Sequence, residues 1–186
     1  MKRGFLGILM LTLLFFMVGC GGTEESQREE TIFDGKAETL IGNLKVMAAS
    51  GNFNLSEPKI NNVNNEKYCT VNFGNSEENK LNLKLNADDS VINAEILAHN
   101  DYDSGKTAGM LLSGTLLSVG AEQSELEKFL KNYQSMVEEE VRKQNNAATP
   151  IIDRDIKIYC GIKKKDFNVN IKSDEKQVKF FISPAK

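Results

Sequence analysis

The sequence predicts an α+β fold in which about three helices cover one face of an antiparallel sheet of about six strands. Six short runs alternate apolar and polar residues with a period of two, which is typical of strands buried on one face and wet on the other. Three longer segments carry apolar residues at helical spacing. Because the order is helix, three strands, two helices, three strands, the sequence also predicts a tandem repeat within one compact domain.

The predicted helices cover residues 33–50, 104–119 and 124–145. Asp34 is placed to cap the first helix and Gly51 to end it. The second helix is apolar nearly all round and is therefore expected to be buried, with small residues that let a neighbour approach closely. Ser124 and Glu127 form a predicted capping box for the third helix.

The alternation assigns the inward-facing residues of the six predicted strands. They are Cys69, Val71 and Phe73; Leu81, Leu83 and Leu85; Ile92, Ala94, Ile96 and Ala98; Ile156, Ile158, Cys160 and Ile162; Phe167, Val169 and Ile171; and Val178, Phe180 and Ile182. The segment between Gly51 and the first of these runs is rich in Asn and is predicted to be a loop with at most one irregular strand.

The proposed repeat units are residues 33–100 and 101–186, and they share a matching dipeptide. Tyr68-Cys69 is echoed 91 positions later by Tyr159-Cys160, and the hairpins that follow match at an offset of 86. If a two-fold axis relates the copies, the first strand of each lies beside the other, and Cys69 and Cys160 meet. A disulfide between them is the expectation for an exported protein; the alternative is that both are buried free thiols.

The first 19 residues have the organisation of a secretory signal peptide. A basic start is followed by an apolar run over residues 5–18 and small residues. The run is shorter than the ~20 residues that span a bilayer. Met17-Val18-Gly19-Cys20 resembles the lipobox of bacterial lipoproteins, which implies lipid on Cys20 and a location on the cell membrane or outer membrane, outside the cytoplasm. Residues 20–32 are then the lipidated cysteine and a polar, flexible tether.

Charge and composition exclude some classes of partner. The chain has 23 basic and 26 acidic residues, and removal of residues 1–19 takes Lys2 and Arg3, which leaves a formal net charge of −5 on the mature chain. Nucleic-acid binding calls for a clustered basic face, so no nucleic-acid partner is expected. The membrane, through the lipid on Cys20, and a protein are the expected partners.

No catalytic residue, metal site or cofactor is predicted. His99 is the single histidine, which argues against zinc and against a Ser-His-Asp triad. The stretch 100–103 is rich in oxygen atoms and is interpreted as the cap of the second helix. Gly105-Lys106-Thr107 lacks the glycine-rich context of a phosphate-binding loop.

The outward face of the sheet and one turn are the predicted partner-binding surface. Aromatic side chains among amides can form a recognition surface, since tyrosine supplies contact area with few rotors to freeze. The alternative is an ordinary solvated sheet face. The residues assigned to this surface are Tyr68, Asn82, Asp88, Asp89, Tyr159, Asn168, Asn170 and Phe181.

In element order, residues 34–183 resemble the beta-lactamase inhibitory protein fold and the small outer-membrane assembly lipoproteins. That resemblance implies a non-enzymatic, lipid-anchored binding or assembly protein that meets its partner through the open sheet face or a hairpin tip such as Ala87 to Ser90. The face here carries mainly Asn and Lys where the inhibitor family has aromatics, which argues against lactamase inhibition. The alternative function is a cell-envelope hydrolase or a hydrolase inhibitor.

Overall fold

The computed structural model describes residues 30–145, 150–161 and 165–185, without the side chains of Asp34 and Lys165. Within these ranges the chain forms eight strands and three helices, in agreement with the predicted α+β class. In chain order they are β1 (Phe33–Lys36), α1 (Ala37–Gly51), β2 (Lys59–Val63), β3 (Glu66–Asn72), β4 (Lys80–Leu85), β5 (Ser90–His99), α2 (Tyr102–Ser118), α3 (Gln123–Lys143), β6 (Ile152–Cys160), β7 (Lys165–Ser173) and β8 (Gln177–Pro184). The signal peptide, Cys20 and most of the predicted tether lie outside the described residues.

All the strands join one antiparallel sheet in the order β2-β3-β4-β5-β8-β7-β6, and β1 pairs with β5 beside this path. The middle of the sheet is the pairing of β5 with β8, in which Glu95 lies opposite Phe181. From this pairing, β4, β3 and β2 extend outward on one side, and β7 and β6 extend outward on the other. The sheet is therefore built from two sets of strands that meet through the last strand of each set.

Alternation gives the sheet one apolar face and one polar face. A row of directly paired residues crosses the apolar face from edge to edge: Ile60, Cys69, Leu83, Ala94, Ile182, Val169 and Ile156. The central members of this row are fully buried in a single core with the inner sides of the three helices, including Leu44, Leu112 and Phe129. The helices thus lie on one face of the sheet, as predicted.

The sheet has eight strands in the described residues where the sequence predicted about six. β1 occupies the start of the predicted first helix, because Ile32 donates its amide hydrogen to the carbonyl of Val91 at 2.9 Å and draws this segment onto β5. β2 lies in the predicted loop and pairs with β3 through a turn at Asn64 and Asn65, both at positive φ. Asparagine tolerates this left-handed conformation and favours tight hairpins, so the Asn-rich composition concealed a strand.

The helix ends agree only in part with the predicted caps. Because α1 begins at Ala37, Asp34 cannot be its cap, and the left-handed C-cap residue is Asn52 (φ 55°) instead of Gly51. Asp101 does cap α2 by accepting a hydrogen bond from the amide of Ser104 at 2.9 Å. The Ser124 capping box is wrong, because α3 begins one residue earlier, at Gln123, and its N-cap makes no side-chain hydrogen bond.

The predicted disulfide between Cys69 and Cys160 is wrong. Both residues are buried and free. Four strands (β4, β5, β8 and β7) separate β3 from β6, which places the two cysteines about 24 Å apart at ~4.8 Å per strand. A disulfide needs Cα atoms within about 7 Å. The prediction failed because the last strands of the two sets meet at the centre, which sends the first strands, and their cysteines, outward.

Small residues in α2 allow α1 to approach it closely, as the sequence predicted. Gly114 is buried, and a Cβ atom at this position would overlap the end of the Met47 side chain and lie 3.1 Å from Leu44 Cδ2. Gly109, five residues earlier in the same helix, has open space where its Cβ would stand. The two glycines therefore have different roles, and only Gly114 is needed for packing.

Free thiols at positions 69 and 160 predict a simple labelling result. In the Cys20→Ser chain, unfolding without reductant should expose two thiols to an alkylating reagent, and prior reduction should add none. Intact mass gives the number of labels. Folded protein should label slowly, because both side chains are buried. Labelling that requires reduction would contradict the strand order.

The two glycines of α2 form a matched pair for a stability measurement. Gly109→Ala should raise the free energy of unfolding by about 0.5–1 kcal/mol, because alanine favours the helix and meets no neighbour. Gly114→Ala should be about 1–2 kcal/mol less stable than Gly109→Ala, because Met47 must leave its place. Urea unfolding measures both. The deficit should shrink when Met47→Ala is added, and equal stabilities for the two variants would contradict the close packing.

Candidate functional site

A continuous row of side chains crosses the open face of the sheet. Each member lies directly opposite the next, and none is fully buried: Lys59, Thr70, Asn82, Glu95, Phe181, Asn170 and Asp155. The register thus brings three of the predicted partner-binding residues, Asn82, Asn170 and Phe181, into one line. The outward direction inferred from alternation is the one that the structure has.

The centre of this row is a hydrogen-bonded chain. Thr70 Oγ1 donates to Asn82 Oδ1 at 3.0 Å, and Asn82 Nδ2 donates to Glu95 Oε2 at 3.1 Å. Lys179 forms an ion pair with the other oxygen of Glu95. Each side chain is held by its neighbours on adjacent strands, so the polar surface is ordered by contacts within the chain.

Asn168 and Asn170 converge on one carboxylate near the β6 edge. Their Nδ2 atoms lie 2.9 and 3.0 Å from Asp155 Oδ1. These two hydrogen bonds favour the charged form and hold the pKa of Asp155 below its usual range. Beside them, Lys172 pairs with Asp153 at 3.3 Å. The predicted asparagines therefore form part of an anionic cluster that is fixed by amides.

Tyr68 belongs to a second cluster on the same face. Lys84 Nζ lies 2.6 Å from Glu66 Oε1, and the hydroxyl of Tyr68 donates to Glu66 Oε2 at 2.5 Å. The contact with Lys84 lowers the pKa of Glu66, and the hydrogen bond from Tyr68 lowers it further. The hydrogen bond between Tyr68 and Glu66 also raises the pKa of Tyr68. Tyr159, 43% exposed, stands at the opposite edge of the sheet, opposite Asp166.

Asp88 and Asp89 lie apart from the central row, at the turn between β4 and β5. Asp89 adopts positive φ (69°) and pairs with Lys67. Asp88 Oδ1 accepts from the amide of Ser90 at 3.2 Å and lines an open hollow of about 520 Å³ together with Glu66 and Lys84. The tip is thus near the Tyr68 cluster, and Asn168, Asn170 and Tyr159 are across the sheet from it.

Two acids that organise the face, Glu66 and Asp155, were absent from the predicted surface. Glu66 lies two residues before Tyr68, and Asp155 lies four residues before Tyr159, in each case on the same face as the position that the alternation did identify. Extending the period-two pattern backward through β3 and β6 would have found them. The predicted runs began too late because Glu66 and Asp155 follow segments without clear alternation.

The histidine and the start of α2 form a structural cap. His99 Nδ1 lies 2.9 Å from Asp101 Oδ2. Hydrogen bonds from Ser104 are the main cause of the lowered pKa of Asp101, and His99 adds to them. Within the described ranges there is no group of three or more His, Cys, Asp or Glu residues arranged to hold a metal ion.

Comparison of the chain with protein-family models, curated proteins and solved structures found no match. None of the helices in the described residues is long and apolar enough to cross a membrane.

The cap at Asp101 predicts a pH-dependent contribution to stability. Its pKa is lower in the folded chain than the ~3.9 of an unfolded aspartate. The stabilisation is therefore complete above pH ~4 and is lost as pH falls through the folded-state pKa. Asp101→Asn keeps a capping oxygen without the charge, so the wild-type advantage should vanish in acid. Urea unfolding between pH 7 and 2.5 measures it.

Asp103→Asn is the control for this measurement, because Asp103 lies in the first turn of α2 without capping it. The difference in free energy of unfolding between wild type and Asp103→Asn should change less with pH than the difference between wild type and Asp101→Asn. A difference between wild type and Asp101→Asn that stays constant from pH 7 to 2.5 would contradict the assigned cap.

Proposed function

We propose that this chain is a lipid-anchored, extracytoplasmic binding or assembly protein whose protein partner docks on the open face of the sheet. The observation that carries the proposal is the row from Lys59 to Asp155, which crosses seven strands on a face that no helix of the described residues covers. Such a surface offers a broad, flat contact area. It has no deep cleft in which a reaction could be isolated from water.

The order of the surface favours binding. Asn82, Glu95 and Lys179 already make hydrogen bonds or ion pairs with neighbours, so little side-chain entropy remains to be lost on association. Phe181 and Leu97 lie half-buried within this polar frame and supply apolar contact at its centre. Apolar anchors surrounded by polar groups are the usual anatomy of a protein interface.

Unpaired charges indicate the chemistry of the partner. Lys59 and Lys80 have no ion-pair partner among the described residues, and both lie on the open face on the β2–β4 side. Asp155 and Asp166 lie near the other edge, where Lys157 is the neighbouring cation. A partner with acidic groups facing β2–β4 and a basic group facing β6–β7 would match this division.

Binding is proposed over catalysis because most of the described carboxylates of the face are committed to structural contacts. Glu66 and Glu95 are paired with lysines, and Asp155 accepts from two amides. A general acid or base needs a carboxylate that is free to exchange a proton with a substrate. Among the described carboxylates of the face Asp166 makes no such contact, and the alternative of a cell-envelope hydrolase would need a second carboxylate, or a nucleophile and a base, beside it.

Cys20 is the proposed site of lipid attachment, and two or more acyl chains make such anchoring stable. Glu30 follows it by ten positions, so the described domain can begin no farther than about 35 Å from the lipid. The chain joins the sheet at the start of β5. The strands then run away from this point, which leaves the open face accessible beside the membrane.

We also propose that the two sets of strands are duplicated units. The β5–β8 register supports this, because Glu95 and Phe181 are equivalent at the predicted offset of 86 and lie directly opposite each other. A two-fold axis between them also exchanges the pairs Ala94–Ile182 and Ile96–Phe180. The register of β4 with β5 differs by two residues from that of β7 with β8, since Leu81 pairs with Ile96 while Phe167 pairs with Pro184.

A photo-crosslinking experiment in the native cell tests the docking face. A photoreactive residue at Asn61 or at Tyr159 should give a discrete adduct, and the same residue at Lys131 on the exposed side of α3 should give none. The double substitution Lys59→Glu with Lys80→Glu should abolish the adduct at Asn61, because it reverses the charge of the two unpaired lysines. Lys131→Glu is the control reversal.

Adducts from Lys131 alone, or an Asn61 adduct that survives charge reversal, would overturn the open-face proposal. An adduct of twice the mass of the chain would show that the partner on this face is a second copy of the chain. Cys20→Ser tests the anchor separately, since this variant should leave the membrane fraction while keeping its fold. Its continued sedimentation with membranes would contradict lipid attachment at Cys20.

A further inference from the structure

A polar cavity of about 430 Å³ opens at the end of the sheet opposite the point where the chain enters. Its walls are the loop after α1, the turn between β3 and β4, and the first turns of α2. The chain joins the sheet beside Val91, at the start of β5, and the cavity lies beyond His99, at its end. The length of β5 therefore separates the two points by about 27 Å, at ~3.4 Å per residue. This position faces away from the anchored end of the domain.

The floor of the cavity is a fixed pair of buried polar side chains. Asn79, only 1% exposed, donates from Nδ2 to Ser104 Oγ at 3.0 Å and accepts the amide hydrogen of His99 at 2.8 Å. These bonds connect the β3–β4 turn, the end of β5 and the start of α2. The floor is therefore rigid, as a preformed site requires.

Three asparagine side chains line the walls. Asn52 and Asn54 follow α1, and Asn75 belongs to the facing turn. The amide of Gly74 donates to the carbonyl of Asn54 at 3.0 Å and fixes the distance between the two walls. All three side chains are exposed, and within the described part of the chain none of their amides has a hydrogen-bond partner. Each thus offers two donors and an acceptor to a ligand.

The charges at the mouth argue against an anion. The N-terminus of a helix attracts anions, but here Asp101 already accepts the hydrogen bond from the amide of Ser104, and Asp103 lies in the same turn of α2. Among the described residues that line the cavity, two carboxylates and one cation, Lys106, leave the mouth negative. Phe53 and Met110 add apolar surface next to the amides.

We propose that this cavity binds a neutral saccharide unit. Sugar hydroxyls donate and accept at once, which matches amides beside carboxylates, and the C–H faces of the ring can pack on Phe53 and Met110. The volume lies within the ~300–1,000 Å³ of small-molecule sites. The cavity is separate from the open sheet face, so the proposal stands or falls independently of the protein partner.

Amide NMR of the ¹⁵N-labelled chain, in a detergent without a sugar headgroup, tests the proposal with four probes: glucose, N-acetylglucosamine, glycine and inorganic phosphate. One of the sugars should shift the side-chain amides of Asn52, Asn54 and Asn75 in a saturable way. Asn54→Ala with Asn75→Ala should weaken that binding about tenfold or more, as expected for the loss of two or more hydrogen bonds. Asn61→Ala with Asn62→Ala, on the exposed strand β2, is the matched control and should leave the affinity unchanged.

Spectra of both double variants must retain the dispersion of the wild type, which separates loss of binding from loss of fold. Saturable shifts with phosphate or glycine at these amides, and none with sugar, would overturn the saccharide assignment. Sugar-induced shifts that the cavity variants leave unchanged, or no shift with either sugar up to saturation of its solubility, would overturn the site.

Discussion

In an antiparallel sheet, the register between two strands decides which side chains share a face, and here the pairing of β5 with β8 sets it for both halves of the molecule. Glu95 opposite Phe181 puts the polar row outside, and Ala94 opposite Ile182 puts the apolar row under the helices. A slip of one residue would turn over one of the two sets of strands. The apolar side chains of that set would then face solvent, and its polar side chains would face the helices. The cost of burying such groups unpaired makes that slip prohibitive, so the separation of a buried face from an open polar face follows from this one contact.

The helical layer is tied to the sheet by a second contact, at Asn79. This buried side chain joins the β3–β4 turn to the end of β5 and to α2, so the first turn of α2 has a fixed position relative to the strands. The close packing at Gly114 then fixes α1 against α2. A buried amide with both ends satisfied specifies geometry that apolar contacts leave adjustable. The cavity beside Asn79 is rigid for that reason.

The sequence was sufficient for the class of the fold, for six of the eight described strands (β3 to β8) and for the outward face, because alternation with a period of two is a local signal. It was insufficient for the strand order, which depends on contacts between distant segments. Cys69 and Cys160 show the difference: their inward direction was predicted correctly, and their proximity was not. The strand β2 was hidden because the Asn64-Asn65 turn reads as loop composition. The cavity residues were missed because Asn52, Asn54 and Asn75 follow no period and converge only through the fold.

The polar network of the open face also explains how that face can stay uncovered. Glu66, Glu95 and Asp155 all have partners within the chain, so the surface is stable in water and needs no second protein to satisfy it. The proposed partner would therefore gain little by adding hydrogen bonds to groups already satisfied. The affinity for the proposed partner must come instead from covering Phe181 and Leu97 and from the unpaired Lys59 and Lys80. This makes a transient, charge-steered association more compatible with the face than a permanent one.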